Sequence, residues 1–197
     1  MTDVAQLAAR IERLESLEEI RALPHRYAMA VDARDIDAYL ECFIEDVDCG
    51  RRGKGREAFR PFVEAAVRNF YRSIHHVAGH VIDTLDGDHA TGRVYGWCEH
   101  EIGEQWIVQA NVYFDTYERR DGRWYFVKRD EDFFYSADLM ERPQDAGFER
   151  WPGLVPRHGF SMMLDRYESW KAFWEDTPSE VIETLTSLPA RKAARSD

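Results

Sequence analysis

The chain has 197 residues, a length that predicts one domain with room for an appended segment. Apolar residues make up 44% of it and aromatic residues 13%, which is enough for a full core and an aromatic-lined cavity. The net charge of -11 argues against a nucleic-acid partner, and no stretch approaches the roughly 18 apolar residues of a membrane-spanning helix.

The cysteine content and the N-terminus indicate a compartment. The chain has three cysteines, Cys42, Cys49 and Cys98, without CxxC spacing, so the sequence predicts neither a disulfide framework nor a structural zinc site. The N-terminal segment is amphipathic and charged, and it lacks the apolar stretch of a signal peptide. We therefore expect a soluble, cytoplasmic protein in a reducing environment.

The chain opens with a long predicted helix. Apolar residues recur at helical spacing over residues 3–15, and Ser16 with Glu19 forms a capping box that restarts or continues the helix. Pro24 should kink this helix, because proline lacks the backbone N–H that a helix interior needs. The helical pattern then continues to Val31.

Two further helices are predicted before the first strand. Asp35 is placed to cap a short helix that includes Phe43. Residues 45–56 are rich in turn formers and have room for one short strand. An apolar face over residues 57–71 predicts the third helix.

From Ser73 onward the hydrophobic period changes to two, which is typical of strands. Four strands are expected over residues 75–85, 90–102, 106–119 and 124–134, with hairpin turns at residues 86–88 and 120–122. Long antiparallel strands after three helices predict an α+β fold. In this fold a curved antiparallel sheet wraps around the N-terminal helices as a cone-shaped domain.

The pattern weakens after Tyr135, so we assign residues 1–140 to the domain and residues 141–197 to a C-terminal extension. Residues 161–175 carry an amphipathic pattern. This pattern predicts a helix that covers the mouth of the cavity or contacts a neighbouring subunit. The last ten residues are basic and polar and are expected to be disordered.

Asp32 lies where the long first helix should end. A carboxylate there faces the negative end of the helix dipole, which predicts a raised pKa, and burial of the side chain would act in the same direction. An acid that orients an imidazole is sufficient for general base catalysis. The alternative is that Asp32 only helps Asp35 to cap the next helix, and the sequence leaves both possibilities open.

Histidines cluster at the start of the first strand, at His75, His76 and His80. Alternation along a strand puts His75 on one face and the other two on the opposite face, so His75 and His76 cannot easily share a metal ion. No metalloprotease or facial-triad spacing is present either, and we expect no metal. A lone strand histidine is more often structural than catalytic, so His75 needs further support.

Tyr27 and Arg129 are two more polar residues on otherwise apolar elements. Tyr27 lies about 140° around a regular helix from Asp32, so both border one cavity only if it is wide or the helix end is distorted. Core packing is the alternative for Tyr27. An inward Arg129 needs an anionic partner, such as Asp32 or a substrate oxygen. Otherwise it forms an edge-strand salt bridge with Asp130 or Glu131.

These residues resemble a known family, the SnoaL-like branch of the nuclear transport factor 2-like superfamily. Within it the chain is most similar to hexachlorocyclohexane dehydrochlorinase, bile-acid dehydratase and scytalone dehydratase, over roughly residues 10–140. The segments that carry the resemblance are YAMAVDARD at 27–35, Ile74-His75, YERRDGRW at 117–124 and VKR at 127–129.

The resemblance implies a role for each polar residue. In those enzymes an Asp–His pair is the base of an elimination and an Arg assists the leaving group, which by resemblance assigns Asp32, His75 and Arg129. Tyr27 matches the tyrosine with which the dehydratases help the departing oxygen. The dehydrochlorinase has a lysine there, so an oxygen leaving group is favoured over a halide. His100 matches a second histidine of the scytalone enzyme.

We therefore predict a dehydratase-like lyase that needs no cofactor, acts on a small apolar or aromatic ring compound and forms a dimer or trimer. The resemblance leaves open retro-aldol cleavage of a lignin-type aromatic, steroid-type isomerisation, and a non-catalytic ligand-binding or oligomerisation module. Strand parity does not decide which candidate substrate-binding residues face the cavity. These candidates are His100, Trp97, Trp106, Tyr113 and Phe133.

Overall fold

The computed structural model describes residues 3–143, 164 and 166–186. The described residues form N-terminal helices, one four-stranded antiparallel sheet and two short C-terminal helices, so the predicted α+β class is confirmed. In chain order the elements are α1 (Val4–Ala33), α2 (Ile36–Glu41), α3 (Arg56–Val67), β1 (Ser73–Asp86), β2 (His89–Ile102), β3 (Gln105–Arg120), β4 (Arg123–Asp138), α4 (Glu168–Glu175) and α5 (Ser179–Thr186).

Helix α1 is a single helix of 30 residues. The carboxylate of Asp3 caps its start by accepting a hydrogen bond from the backbone N–H of Ala5. The capping box at Ser16 does not begin a new helix, and the helix continues through the buried Pro24. Arg34, in the left-handed conformation with φ of 59°, ends α1 immediately before Asp35 caps α2.

The four strands pair in sequence order, β1-β2-β3-β4, through antiparallel hairpins. The β1–β2 and β3–β4 turns lie where they were predicted, whereas the β2–β3 turn at residues 103–104 was not predicted. Near the β1–β2 and β3–β4 hairpins, the inner face of the sheet packs against α1 as a solid core. This core includes Ile20, Leu23, Phe43, Tyr117, Trp124 and Phe126. The opposite end of the sheet stays open, and the cavity described below lies there.

Strand β1 carries a β-bulge between Val77 and Gly79. Ala78 is the extra residue, so alternation along the strand is interrupted and His80 returns to the inner face. The hydroxyl of Tyr117 lies 3.0 Å from His80 Nε2 on that face. The prediction that His80 faces away from His75 is therefore wrong, because it assumed an uninterrupted strand.

The described part of the C-terminal extension contacts the outer face of the sheet. Arg166 forms ion pairs with Asp130 and Asp132, and its guanidinium lies 4.4 Å from the ring centroid of Phe114. These contacts are on the face opposite the cavity, so they do not support a cover over the cavity mouth. Contact with a neighbouring subunit stays a prediction, and the last ten residues lie outside the described part.

The predicted amphipathic helix is shorter than expected. Residues 168–175 form α4, whereas residues 161–163 and 165 lie outside the described part of the chain. The short helix α5 was not predicted. No helix among the described residues is both long and apolar enough to cross a membrane.

Candidate active site

A cavity of about 500 Å³ lies between the helices and the inner face of the open end of the sheet. Helix α3 covers it with apolar side chains, among them Phe62, Val63 and Val67. The sheet side is polar, with His75 from β1, His100 from β2, Gln109 from β3 and Glu131 from β4. An apolar cavity with a few convergent polar groups is typical of a small-molecule site.

Asp32 and His75 form a hydrogen-bonded pair at one edge of this cavity. The Nδ1 atom of His75 lies 2.7 Å from Asp32 Oδ1, and the backbone N–H of His75 donates to Oδ2 at 2.9 Å. His75 borders the cavity, whereas Asp32 lies behind it. The end of α1 thus fixes the imidazole through one nitrogen and leaves Nε2 as the nitrogen available for proton transfer.

Burial and hydrogen bonding act in opposite directions on the two pKa values. Burial alone raises the pKa of Asp32, but its hydrogen bonds from His75 and Ser73 outweigh this and lower it. The expected increase in the Asp32 pKa is therefore wrong, because those donors were not recognised in the sequence. Burial lowers the pKa of His75, yet contacts with Asp32 and Cys98 raise it above its ordinary value.

Ser73 and Arg34 support the carboxylate from behind. The hydroxyl of Ser73 donates to Asp32 Oδ1 at 2.8 Å, and Nη1 of Arg34 donates to the same hydroxyl oxygen at 2.9 Å. Because arginine only donates, the Ser73 oxygen accepts from Arg34 and directs its own proton to Asp32. Arg34 also donates to the carbonyl oxygen of Val31 at 2.7 Å, so it links the end of α1 to the start of β1.

Tyr27 lies in the cavity wall next to Tyr39. Their ring centroids are 4.9 Å apart, their hydroxyls share a hydrogen bond, and both side chains border the cavity. Burial, as the largest cause, raises the pKa of Tyr27, while the charge of Arg129 lowers it. The cavity is wide enough for Tyr27 and His75 to border it together although Tyr27 and Asp32 lie far apart around α1.

Arg129 points inward, but its partner is a residue that we did not predict. Nε and Nη2 of Arg129 donate to the two carboxylate oxygens of Asp115 at 3.1 and 3.2 Å. Its guanidinium lies 4.4 Å from the ring centroid of Tyr27 and 3.9 Å from that of Tyr113. It borders a small void beside the main cavity rather than the main cavity itself. The expected partners Asp32, Asp130 and Glu131 are thus replaced by Asp115.

The candidate substrate-binding residues divide between the two faces of the sheet. His100, Tyr113 and Phe133 border the cavity. Trp97 and Trp106 lie on the outer face, where Trp106 donates to Glu99 at 2.7 Å. They are not cavity walls, because the parity of β2 and β3 that turns His100 and Tyr113 inward turns both tryptophans outward.

His100 lies close to the Asp32–His75 pair. Its ring is perpendicular to that of His75, with centroids 5.4 Å apart, and its centroid also lies 4.4 Å from that of the Phe70 ring. Burial, followed by the charge of His75, lowers the pKa of His100 to about 3. His100 is therefore a neutral hydrogen-bonding group in the cavity wall at physiological pH.

Strand β3 contains a signal that would have revealed more of the site. The apolar set of alternate residues, which includes Val108 and Val112, faces outward. The polar set faces the cavity and the core. The buried polar residues of that set are Gln109, Asn111 and Asp115. Every second residue from 109 to 117 is polar or a tyrosine. This pattern indicates that the polar face of the strand points into the protein, and it is missed when the apolar face of a strand is assumed to be the inner one.

The described residues contain no group of three histidine, cysteine or acidic side chains arranged to hold a metal ion. His76 lies on the outer face with an exposed side chain, and its Nε2 is 4.0 Å from Glu99.

Comparison with known structures places the fold in a class. A hexachlorocyclohexane dehydrochlorinase, LinA-type3, from Novosphingobium barchaimii LL02 is 26% identical with a TM-score of 0.60, covering 68% of this chain and 96% of that one. A nuclear transport factor 2-like protein with a cystatin-like fold from Novosphingobium aromaticivorans is 27% identical with a TM-score of 0.52, covering 77% and 99%. The fold is therefore nuclear transport factor 2-like.

The sequence itself defines the family within that class. The model of the SnoaL-like domain matches residues 12–130, more than half of the chain, and the chain belongs to this family. A proposed scytalone dehydratase from Novosphingobium aromaticivorans is 22% identical with a TM-score of 0.58, covering 68% of this chain and 93% of that one, which shows a shared fold. No curated protein matches the chain.

Proposed function

We propose that the protein is a cofactor-independent lyase that eliminates an oxygen leaving group from a small ring compound. The observation that carries this proposal is the Asp32–His75 hydrogen bond of 2.7 Å at the edge of a cavity of about 500 Å³. A histidine that is held by a carboxylate and borders an apolar cavity is equipped as a general base. The similarity to a dehydrochlorinase at 26% identity supports the same class of reaction.

In the proposed reaction His75 Nε2 takes a proton from a carbon next to a carbonyl group or aromatic ring. The electron pair of that C–H bond forms the new double bond, and the C–O bond to the leaving group breaks. Tyr27 donates a proton to the departing oxygen, which leaves as water when the group is hydroxide. The proton on His75 then returns to Tyr27 through solvent, so the enzyme is restored.

Asp32 and Arg129 act through their neighbours in this proposal. Asp32 holds the imidazole orientation and stabilises the imidazolium that forms. Arg129 lies under the ring of Tyr27, and its positive charge makes the tyrosine hydroxyl a better proton donor. Nε and Nη2 of Arg129 both donate to the carboxylate of Asp115. We therefore assign Arg129 a positioning role rather than direct contact with the leaving group.

Deuterium exchange tests the proton-abstraction step separately from loss of the leaving group. Cyclic ketones without a leaving group, such as 2-tetralone, are incubated with the protein in deuterium oxide, and deuterium at the α-carbon is followed by NMR. We expect exchange above the buffer rate, reduced about 10²- to 10⁴-fold in His75→Ala. His76→Ala is the matched control, because this neighbouring side chain is 57% exposed on the outer face.

Two results would decide against the proposal. Equal exchange in the wild type and in a folded His75→Ala variant would exclude His75 as the base. Ligand binding without any exchange would favour a non-catalytic binding module. Retro-aldol cleavage uses the same base on a hydroxyl proton, and its aldehyde product distinguishes it from elimination once a substrate is found.

A further inference from the structure

The first turns of α1 carry an apolar stripe on the protein surface. It consists of Val4, Leu7, Ile11 and Leu14, whose exposed fractions are 80%, 50%, 48% and 63%. At about 100° per residue, these four side chains lie within a sector of roughly 80° on one side of the helix. The part of the chain that the structure describes leaves them exposed, and a row of large apolar residues on a surface is typical of a contact with a partner.

The apolar stripe faces away from the core of its own domain. The buried residues Ile20 and Leu23, further along α1, belong to the core beneath the sheet. The helical period puts them on the side of α1 opposite the stripe. Nη1 of Arg119 on β3 donates to Glu12 Oε1 at 3.0 Å, which holds the start of α1 against the end of the sheet. This orientation leaves the stripe available to a partner outside the domain.

The spacing of the stripe indicates which partner fits. Its residues follow one another at intervals of three, four and three, so Val4 and Ile11 take the a positions of two heptads. Leu7 and Leu14 take the d positions. Valine or isoleucine at a, together with leucine at d, favours a parallel two-stranded coiled coil. Glu18 occupies the next a position, so the apolar pattern ends after two heptads. The pattern therefore fits a second parallel helix of the same kind, which another copy of this chain provides.

The charges beside the stripe agree with a second copy as the partner. Arg10 takes the g position of the first heptad and Glu15 the e position of the second, and both residues are exposed. In a parallel coiled coil, the g residue of one helix lies next to the e residue of the following heptad of the other helix. Arg10 of each copy would therefore meet Glu15 of the other copy. The two-fold symmetry of a dimer forms this opposite-charge pair twice.

We propose that two copies of this chain associate through residues 4–14 of α1 as a short parallel coiled coil. Two heptads alone seldom hold a helix, because helix nucleation is unfavourable. Here the segment is the start of a helix of 30 residues whose later turns are buried, so it is helical before association. The described residues that border the main cavity begin at Tyr27, so this dimer does not depend on the proposed function.

The mass of the full-length protein tests the proposal. Leu7→Glu puts a charge into the middle of the stripe, where burial without a counter-charge opposes association. In sedimentation equilibrium over a range of concentrations, we expect the wild-type mass to approach twice that of Leu7→Glu. Gln6→Glu is the matched control, because it adds the same charge to a neighbouring exposed residue outside the stripe, and it should keep the wild-type mass.

Equal masses of the wild type and Leu7→Glu would overturn the proposal. If Leu7→Glu then also melted at a lower temperature, the stripe would be covered by a segment of the same chain instead of a second copy. Neither result bears on deuterium exchange by His75, so this proposal and the proposed function fail separately.

Charge exchange tests the parallel arrangement and the identity of the partner. Arg10→Glu and Glu15→Arg each place like charges side by side, so either variant alone should associate about three- to tenfold more weakly. An equimolar mixture restores both opposite-charge pairs, because one variant supplies two acidic side chains and the other two basic ones. We expect the mixture to associate as tightly as the wild type. A mixture that associates no more tightly than either variant alone would contradict the parallel dimer.

Discussion

Asp32 and Asp115 each hold a basic side chain, but the first pair borders the cavity and the second is sealed in the core. The side chains of His75 and Asp32 are 11% and 27% exposed, whereas those of Arg129 and Asp115 are 5% and 0% exposed. The pKa of Asp32 is lowered by its hydrogen bonds, while burial dominates at Asp115 and raises the pKa there. The pKa values of these two carboxylates are thus shifted in opposite directions from the ordinary value.

The cation of each pair decides what the pair can do. A guanidinium does not lose its proton in proteins, so the Asp115–Arg129 pair cannot transfer one. An imidazole gains and loses a proton, in His75 with a pKa that, although burial lowers it, its contacts with Asp32 and Cys98 raise to about 10, so the Asp32–His75 pair can transfer one. The buried pair supports the core beneath Tyr27 and Tyr113, and the exposed pair faces the cavity with a titratable group.

The same substitution at the two aspartates gives the largest expected contrast. Asp115→Asn leaves the guanidinium of Arg129 buried without its counter-charge, and we expect the free energy of unfolding to fall by about 3–5 kcal/mol. Asp32→Asn keeps one acceptor oxygen, so either the Ser73 hydroxyl or the backbone N–H of His75 loses its partner, and the substitution should cost about 1–3 kcal/mol. Urea denaturation followed by fluorescence measures both. Equal losses would show that the two pairs do not differ in this way.

The pH dependence of proton abstraction sharpens the comparison at the cavity. A general base must be neutral, and the pKa of His75 is raised, so exchange should increase as the pH rises towards that pKa. Asp32→Asn removes the charge that stabilises the imidazolium. The pKa of His75 should fall and the rising limb should move to lower pH by at least about one unit, with a lower maximal rate.

NMR titration of the His75 imidazole in the wild type and in Asp32→Asn measures this change in pKa directly. Glu99→Gln is the control, because it removes one negative charge from the outer face of the sheet, where Glu99 accepts a hydrogen bond from Trp106. If the exchange rate rises over the same pH range in a folded Asp32→Asn variant, Asp32 and His75 are not coupled.

Ser73→Ala is the smallest of the expected effects. It removes one of the hydrogen bonds to Asp32 and the acceptor for Arg34, and should lower the free energy of unfolding by about 1 kcal/mol. The pKa of His75 should also decrease slightly, because a less well-oriented carboxylate stabilises the imidazolium less. Thr84→Val is the control, since its hydroxyl is exposed and bonds only Thr91 among the contacts described. An unchanged pKa of His75 in Ser73→Ala would show that Ser73 does not contribute to positioning Asp32.

The sequence predicted the secondary structure well, because long amphipathic periods leave few alternatives. The three helices, the four strands and both hairpin turns lie within a few residues of their expected places. The resemblance also led to Asp32 and His75, which the structure brings within 2.7 Å of each other. Their catalytic role stays a proposal, since contact alone does not demonstrate chemistry.

The remaining site features depend on contacts between distant segments, which a local pattern does not contain. Asp115 became the partner of Arg129 because β3 and β4 pair in a register that sets them opposite each other. The lowered pKa of Asp32 depends first on His75 and then on Ser73, which lie 43 and 41 residues away along the chain. The outward tryptophans Trp97 and Trp106 could not be assigned without knowing which face of the sheet the helices cover.

The bulge at Ala78 also affects how the chain tolerates changes in length. Val77 pairs with Gly96 and Gly79 with Tyr95, so Ala78 has no counterpart on β2. Loss of this one residue would restore regular alternation and leave both His75 and His80 facing inward. Strand β1 has a second bulge between Ile82 and Thr84, where Asp83 has no counterpart on β2. Length variation of one residue among related sequences is therefore expected at these two bulges, where it does not change which face the histidines occupy.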